Sequence, residues 1–180
     1  MIRSNWWALA FLAVASGWCG TSTAATSMYL CVTDAGFAGD VTVVGYSGCS
    51  VVISSDLNAF LEGAMPTSRE LRVQKPVDSS SNPLLGALAA GTTIAELKVR
   101  ISSVGASPAE FRSIRLLNAR VSSFAAPNAA TDAALIDNVG FTFEKLETAF
   151  RKQNQSGQYL PWTYVCWNLV SHSVTSAACQ

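Results

Sequence analysis

Where apolar side chains cluster in this 180-residue chain they recur at every second position, a period that fits β-strands and is hard to reconcile with a helical bundle. Over residues 93–102, Leu97, Val99 and Ile101 alternate with Glu96, Lys98, Arg100 and Ser102, as in an antiparallel strand with one buried and one solvated face. Residues 27–32 (SMYLCV) and 70–75 (ELRVQK) read the same way, with Leu71 and Val73 on one face. Residues 41–54 (VTVVGYSGCSVVIS) are rich in β-branched side chains and predict a strand, bent or bulged at Gly45 and Gly48. Residues 56–69 have no clear period and contain Gly63 and Pro66, so a long loop is expected there, with one helical turn admitted over 57–61.

One helix stands out, over about 79–90. Asn82 offers a capping side chain, and Pro83 is tolerated at a first helical position where its missing N–H costs nothing. Leu84, Leu85 and Leu88 form an apolar stripe, and Gly91 marks the stop. After a turn at 105–108, residues 111–124 (FRSIRLLNARVSSF) predict a strand with charge on both parities, at Arg112, Arg115 and Arg120. Such a strand suits a polar surface, or one covered by a neighbouring subunit, better than a closed apolar core. Residues 125–131 read as a loop. Over 138–150 the apolar parity switches between Phe143 and Leu146. A strand with a bulge near Glu144 and Lys145 accounts for this, as does a helix over 143–151, and the β-rich surroundings favour the strand. An aromatic-rich strand at 159–170 closes the series, giving one mostly β barrel or sandwich with a short helix.

The first 25 residues are set apart from this pattern. Arg3 is followed by the uncharged apolar run 6–17 (WWALAFLAVASG) and the small residues 21–25 (TSTAA), the three parts of a secretory signal peptide. That run is about 12 residues long, against roughly 20 for a membrane-crossing helix, so no stable membrane insertion is expected. Export places residues 26–180, a single domain by size, in the periplasm or outside the cell. There Cys31, Cys49, Cys166 and Cys179 are expected to form two disulfides. Three pairings are open, and nearness in sequence favours Cys31–Cys49 with Cys166–Cys179.

Composition narrows the function. With 12 Lys and Arg against 12 Asp and Glu and no basic block, the chain has no footprint for nucleic acid. Its one histidine, His172, has no nucleophile-elbow motif around it and no metal-ligand spacing from a cysteine. No catalytic residue, metal site or cofactor is read from the chain, and a structural or binding role leads.

Several segments in order resemble one family. ELRVQKPVDSSSNPLLGALAAGTTIAELKVRI resembles a strand ending near a Lys, then Asp-x-Ser-Ser/Thr-x-x-Leu-Leu, a short helix, Gly and a strand with alternating basic residues. FRSIRLLNARVSSF resembles the strand after it, DNVGFTFEKLETAF follows a Glu-Asn-Val-x-Leu-x-Phe-x-x-Val pattern, and Cys166-Trp167-Asn168 is similar to a terminal Gly-Trp-Asn. These are features of the haemolysin-coregulated protein (Hcp) family, the ring-forming tube subunits of type VI secretion. The resemblance implies a β-barrel of two antiparallel sheets with one flanking helix, self-assembling as a six-membered ring that stacks into a tube. Its partners would be identical subunits and protein cargo in the lumen. It further implies that Arg112, Arg115 and Arg120 face a lumen or interface, and that the loop over 56–69 reaches a neighbouring ring. The chain departs from the family in its leader, its four later cysteines and Cys166 in place of glycine. The expected function is thus an exported Hcp-like ring or tube subunit, serving type VI secretion or forming an extracellular filament. The alternative is a monomeric periplasmic or secreted binding or adhesion module on the same fold.

Overall fold

The alternating segments become ten strands and one helix in the computed structural model of the chain, which describes residues 25–34, 36–62, 65–105, 108–126 and 135–180, with backbone alone over 59–69. The expected leader, apart from Ala25, and most of the loop at 125–131 lie outside the described residues. In chain order the elements are β1 (Thr26–Val32), β2 (Ser50–Val52), β3 (Ser54–Glu62), β4 (Met65–Pro76), α1 (Ser81–Ala90), β5 (Thr93–Ser103), β6 (Glu110–Ala125), β7 (Ile136–Thr142), β8 (Lys145–Phe150), β9 (Thr163–Asn168) and β10 (Ser173–Thr175).

All pairing is antiparallel, and it traces a circuit. β1 pairs with β5, β5 with β6, β6 with β7, β7 with β4 and β4 with β3. β3 is separated from β2 by Ile53 alone, and β2 returns to β1. The ring of six paths is completed through the chain at Ile53, whose N–H donates to the Gln74 carbonyl at 2.8 Å, and no β2–β4 ladder closes it. β8, β9 and β10 leave this wall as a flap, because β8 pairs with the first half of β6 while β7 pairs with its second half. The mostly β, one-helix fold is the expected one, but its strands form a single hydrogen-bonded sheet, with β6 shared by barrel and flap. Leu71, Leu97, Val99, Leu116 and Phe141 are fully buried at its centre, with Leu84 and Ala87 of α1 packed on them.

Two segments differ from their sequence reading. Residues 41–49 are not a strand: Gly45 and Gly48 take φ of 82° and 77°, and bonds from Tyr46 N–H to Val43 O and from Cys49 N–H to Tyr46 O close successive turns. The expected loop over 56–69 is not one: its described residues, 56–62 and 65–69, form most of the β3–β4 hairpin, in register from Leu57 opposite Leu71 to Glu62 opposite Met65, with a shift after Asn58. Proline is compatible with this hairpin because an edge strand need not donate from every residue.

Charge on both parities of β6 has a local cause. Ile114 and Leu116 point into the core, but so do Ala119 and Val121, so the inward side changes from even to odd numbers. Between them Asn118 has φ of 51°, a left-handed residue that breaks the pleat once. The neighbouring strands change in step. In β5 the buried side passes from Ile94 to Leu97, and across β6 it passes from Phe141 in β7 to Leu146 in β8. Asn118 Nδ2 donates to the Glu144 carboxylate at 2.7 Å and Glu144 N–H to Leu117 O at 3.2 Å, fixing the break across two strands. The parity switch expected between Phe143 and Leu146 is therefore the same break. Arg115 and Arg120 share the outer side, and Arg112 alone has core parity, at the exposed strand end.

Helix α1 begins at Ser81, so Asn82 and Pro83 lie inside its first turn and Asn82 is not the cap. The N-cap is Ser80, which makes no side-chain capping bond and is itself held by Asp78, whose carboxylate accepts from Ser80 N–H at 2.9 Å and from Ser80 Oγ at 2.6 Å. Gly91 ends the helix at φ 62°, as its position predicts. The buried stripe is Ser81, Leu84 and Ala87, while Leu85 is 46% exposed. Beneath the first turn lies Lys75, its side chain wholly inaccessible, with Nζ 2.7 Å from Asp78 Oδ1, 3.3 Å from Asp137 Oδ2, 3.0 Å from Ser81 Oγ and 3.0 Å from Pro76 O. Burial raises the Asp78 pKa, but hydrogen bonds from Lys75, Ser80 and Ser50 outweigh it and hold the carboxyl below its ordinary value.

Asn118→Gly is expected to leave stability within about 1 kcal/mol, whereas Asn118→Val, β-branched at a positive φ, costs about 1–3 kcal/mol, both read by urea unfolding. Because Asp78 has a depressed folded-state pKa, its contribution is complete above its unfolded pKa of about 3.9 and is lost as pH falls through the lower folded value. Asp78→Asn should therefore lower stability at pH 7 by about 1–3 kcal/mol and flatten the acid limb of the stability profile.

Candidate functional site

The outer face of β5, β6 and β8 carries the largest charge network. Pleat alternation sends Glu96, Lys98 and Arg100 of β5 outward, and register places Lys98 opposite Arg115 and Arg115 opposite Glu147. Glu110 bridges Lys98 at 3.0 Å and Arg100 at 2.6 Å, while Arg115 bridges Glu96 at 2.7 Å and Glu147 at 3.3 Å. The hydrogen bond to Glu96 is the main reason that Arg115 is held more firmly protonated than a free arginine, with partial burial opposing it. Arg100 also donates to Gly45 O at 2.7 Å and lies 4.3 Å from the Tyr46 ring centre, which ties the 41–49 loop to the barrel wall. That loop is fixed covalently as well, by the Cys31–Cys49 disulfide.

The second disulfide, Cys166–Cys179, brings the C-terminal tail onto the network. Arg115 Nη1 donates to Cys179 O at 3.3 Å, Cys179 N–H to Glu147 Oε2 at 2.8 Å, and Lys145 Nζ to Gln180 O at 2.6 Å. Ala178 thereby forms one side of a cleft of about 430 Å³, whose other walls include Arg115, Glu147, Trp162 and Tyr164. Of the three arginines singled out in the sequence, Arg115 is engaged inside the subunit. Arg112 is exposed with no hydrogen bond or ion pair among the described residues, and Arg120 is exposed and donates from Nε to Thr93 Oγ1 at 3.0 Å. The three do not form one patch. Glu147 and the tail were not foreseen in the sequence, because their meeting with Arg115 depends on β6–β8 register.

Backbone groups form a second kind of surface. β3 pairs with β4 alone, and β4 pairs with β7 only from Leu71 onward, so beyond that point the hairpin is a two-stranded ribbon open at both edges among the described residues. At the far end of the sheet, β10 is a three-residue exposed strand with β9 as its one neighbour. Unpaired N–H and C=O groups in such rows are templates for another chain. Past β8, the Arg151 guanidinium carbon lies 4.4 Å from the Tyr159 ring centre and 4.7 Å from that of Trp162. Among the described residues no helix is long and apolar enough to cross a membrane.

A family model described as "Type VI secretion system effector, Hcp" matches residues 31–150. No curated protein is matched. Solved structures similar to this fold include a type six secretion system protein (TM-score 0.75, 18% identity, 84% of this chain and 100% of that chain). Hcp1 from Salmonella typhimurium gives a TM-score of 0.69 at 14% identity, over 84% of this chain and 99% of that one. Hcp1 from E. coli EAEC 042 gives 0.60 at 18% identity, over 75% and 93%. At such identities the solved structures establish the fold, and the family match, spanning two thirds of the chain from β1 to the end of β8, establishes descent: this chain belongs to the Hcp family of type VI secretion proteins.

Proposed function

We propose that this chain is an exported structural subunit whose copies close into a ring and stack as a tube, with protein cargo in the lumen and no catalytic step of its own. Family membership supports the tube, and the observation that carries assembly is the ribbon of β3 and β4, open at both edges. Ring closure by a heterologous contact needs two unlike patches on each subunit. The ribbon and the short exposed edge at β10 are two such patches, at different ends of one sheet. Arg112 and Arg120, exposed and without carboxylate partners among the described residues, suit a lumen or a subunit contact.

The leader read at residues 1–25 and the two disulfides support delivery to an oxidising compartment. Each disulfide closes a short loop, with sequence separations of 18 and 13, and is worth about 3 kcal/mol in the chain-entropy account. The second also finishes the outer wall, since it holds the tail against Arg115 and Glu147.

Light scattering on the oxidised protein is expected to show particles many times the monomer mass. Replacing residues 59–69 with an Asn-Gly turn should leave a folded barrel with both disulfides that stays monomeric. A wild-type monomer would count against the assembly. In a Cys166→Ser, Cys179→Ser double variant, amide exchange at residues 169–180 should become fast while β5 and β6 stay protected, with a loss of about 3 kcal/mol in unfolding free energy.

A further inference from the structure

Where the chain past residue 150, the end of the family match, meets Thr26, Ser103, Phe111 and Phe150, it encloses a cavity that the charge network does not use. It has a volume of about 240 Å³ and is walled by Phe111, Phe150 and Tyr159, with Thr26, Arg151 and Lys152 at its polar side. Phe150 is 49% exposed and offers an apolar ring beside two cations. No Asp or Glu lines the cavity.

The cations are what distinguish it. Arg72, Arg100 and Arg115 each meet a carboxylate, whereas Arg151 and Lys152, like Arg112 and Arg120, have none among the described residues, and of these four Arg151 and Lys152 stand together at one cavity. Arg151 is nevertheless held in place. Its Nε donates to Glu110 O at 2.6 Å, and the rings of Tyr159 and Trp162 pack on the guanidinium, which fixes the plane and leaves the Nη donors without an acceptor. A fixed guanidinium with free donors is the usual partner of a planar carboxylate, bound by two parallel N–H···O bonds. An apolar cavity of about 150 Å³ takes a benzene-sized guest, so 240 Å³ has room for a ring and a short acidic arm.

From this charge complementarity we infer that the cavity binds a small free carboxylic acid with an aromatic or compact apolar body. The carboxylate meets Arg151, with Lys152 and Thr26 beside it, and the body lies against Phe111 and Phe150.

The test is NMR titration of the ¹⁵N-labelled protein, following the Trp162 indole N–H, with phenylacetate, benzyl alcohol, benzylamine and acetate as probes. Phenylacetate is expected to shift it saturably and more weakly at high salt. Benzyl alcohol, benzylamine and acetate, each lacking one half of the ligand's chemistry, should bind about tenfold more weakly or less. Arg151→Gln should reduce phenylacetate affinity about tenfold or more, and Lys152→Gln, a change at an exposed side chain, should reduce it while leaving the spectrum of the free protein intact. No saturable shift with phenylacetate, equal binding of benzyl alcohol, or unchanged affinity in both variants would each overturn the assignment.

Discussion

A single buried ammonium organises the helix side of this barrel. Lys75 sits at the end of β4 with no solvent access, so its charge must be met inside, and it is met from four directions at once: Asp78 in the turn, Asp137 in β7, Ser81 in the helix and the carbonyl of Pro76. Ser50 of β2 joins through Ser80 at 2.9 Å. The cluster thus ties together β2, β4, β7 and α1, and its Lys75–Asp137 contact alone joins residues 62 apart in sequence. A hydrophobic residue at 75 would fill the space, but it would leave Asp78, Ser81 and Asp137 with fewer partners and no reason to select this helix position.

The same dependence on register shapes the outer face. Arg115 meets Glu147 only because β6 and β8 are paired at that residue, and β6 can serve both barrel and flap only because the pleat break at Asn118 is matched in β5 and between β7 and β8. At this one left-handed residue inside and outside exchange in β5, in β6 and in the passage from β7 to β8, without a change in their alignment. The result is a wall whose polar side stays outward from Arg115 to Arg120, although those charges fall on opposite parities of the sequence.

Much of this was legible in the chain and some was not, for physical reasons. Alternation reports a buried face, so β1, β4 near Leu71, β5 and most of β6 follow directly from the period of two. In 41–49 the β-branched content suggested a strand while Gly45 and Gly48 marked the actual turns, since positive φ outweighs propensity. Residues 59–68 pair only within their own ribbon, and the period that reveals core strands was missing there. Lys75 was readable in part: it shares the parity of Leu71 and Val73, so a charge stood on the inward side and required a partner, but Asp137 could not be chosen without the β4–β7 register. The tail contacts and the setting of Arg151 depend on pairing over tens of residues and left no local mark.

The gap at Ile53 has a mechanical meaning. Around the rest of the circuit neighbouring paths are joined by ladders of bonds, but here one residue and one 2.8 Å contact span the interval between β2 and β4. The Cys31–Cys49 crosslink lies at the β1 side of that interval, just before β2 begins, and so braces one lip while the other is held only by hydrogen bonds. Of the joins around the circuit this one resists widening least, because a single backbone bond and side-chain packing stand where the others have ladders.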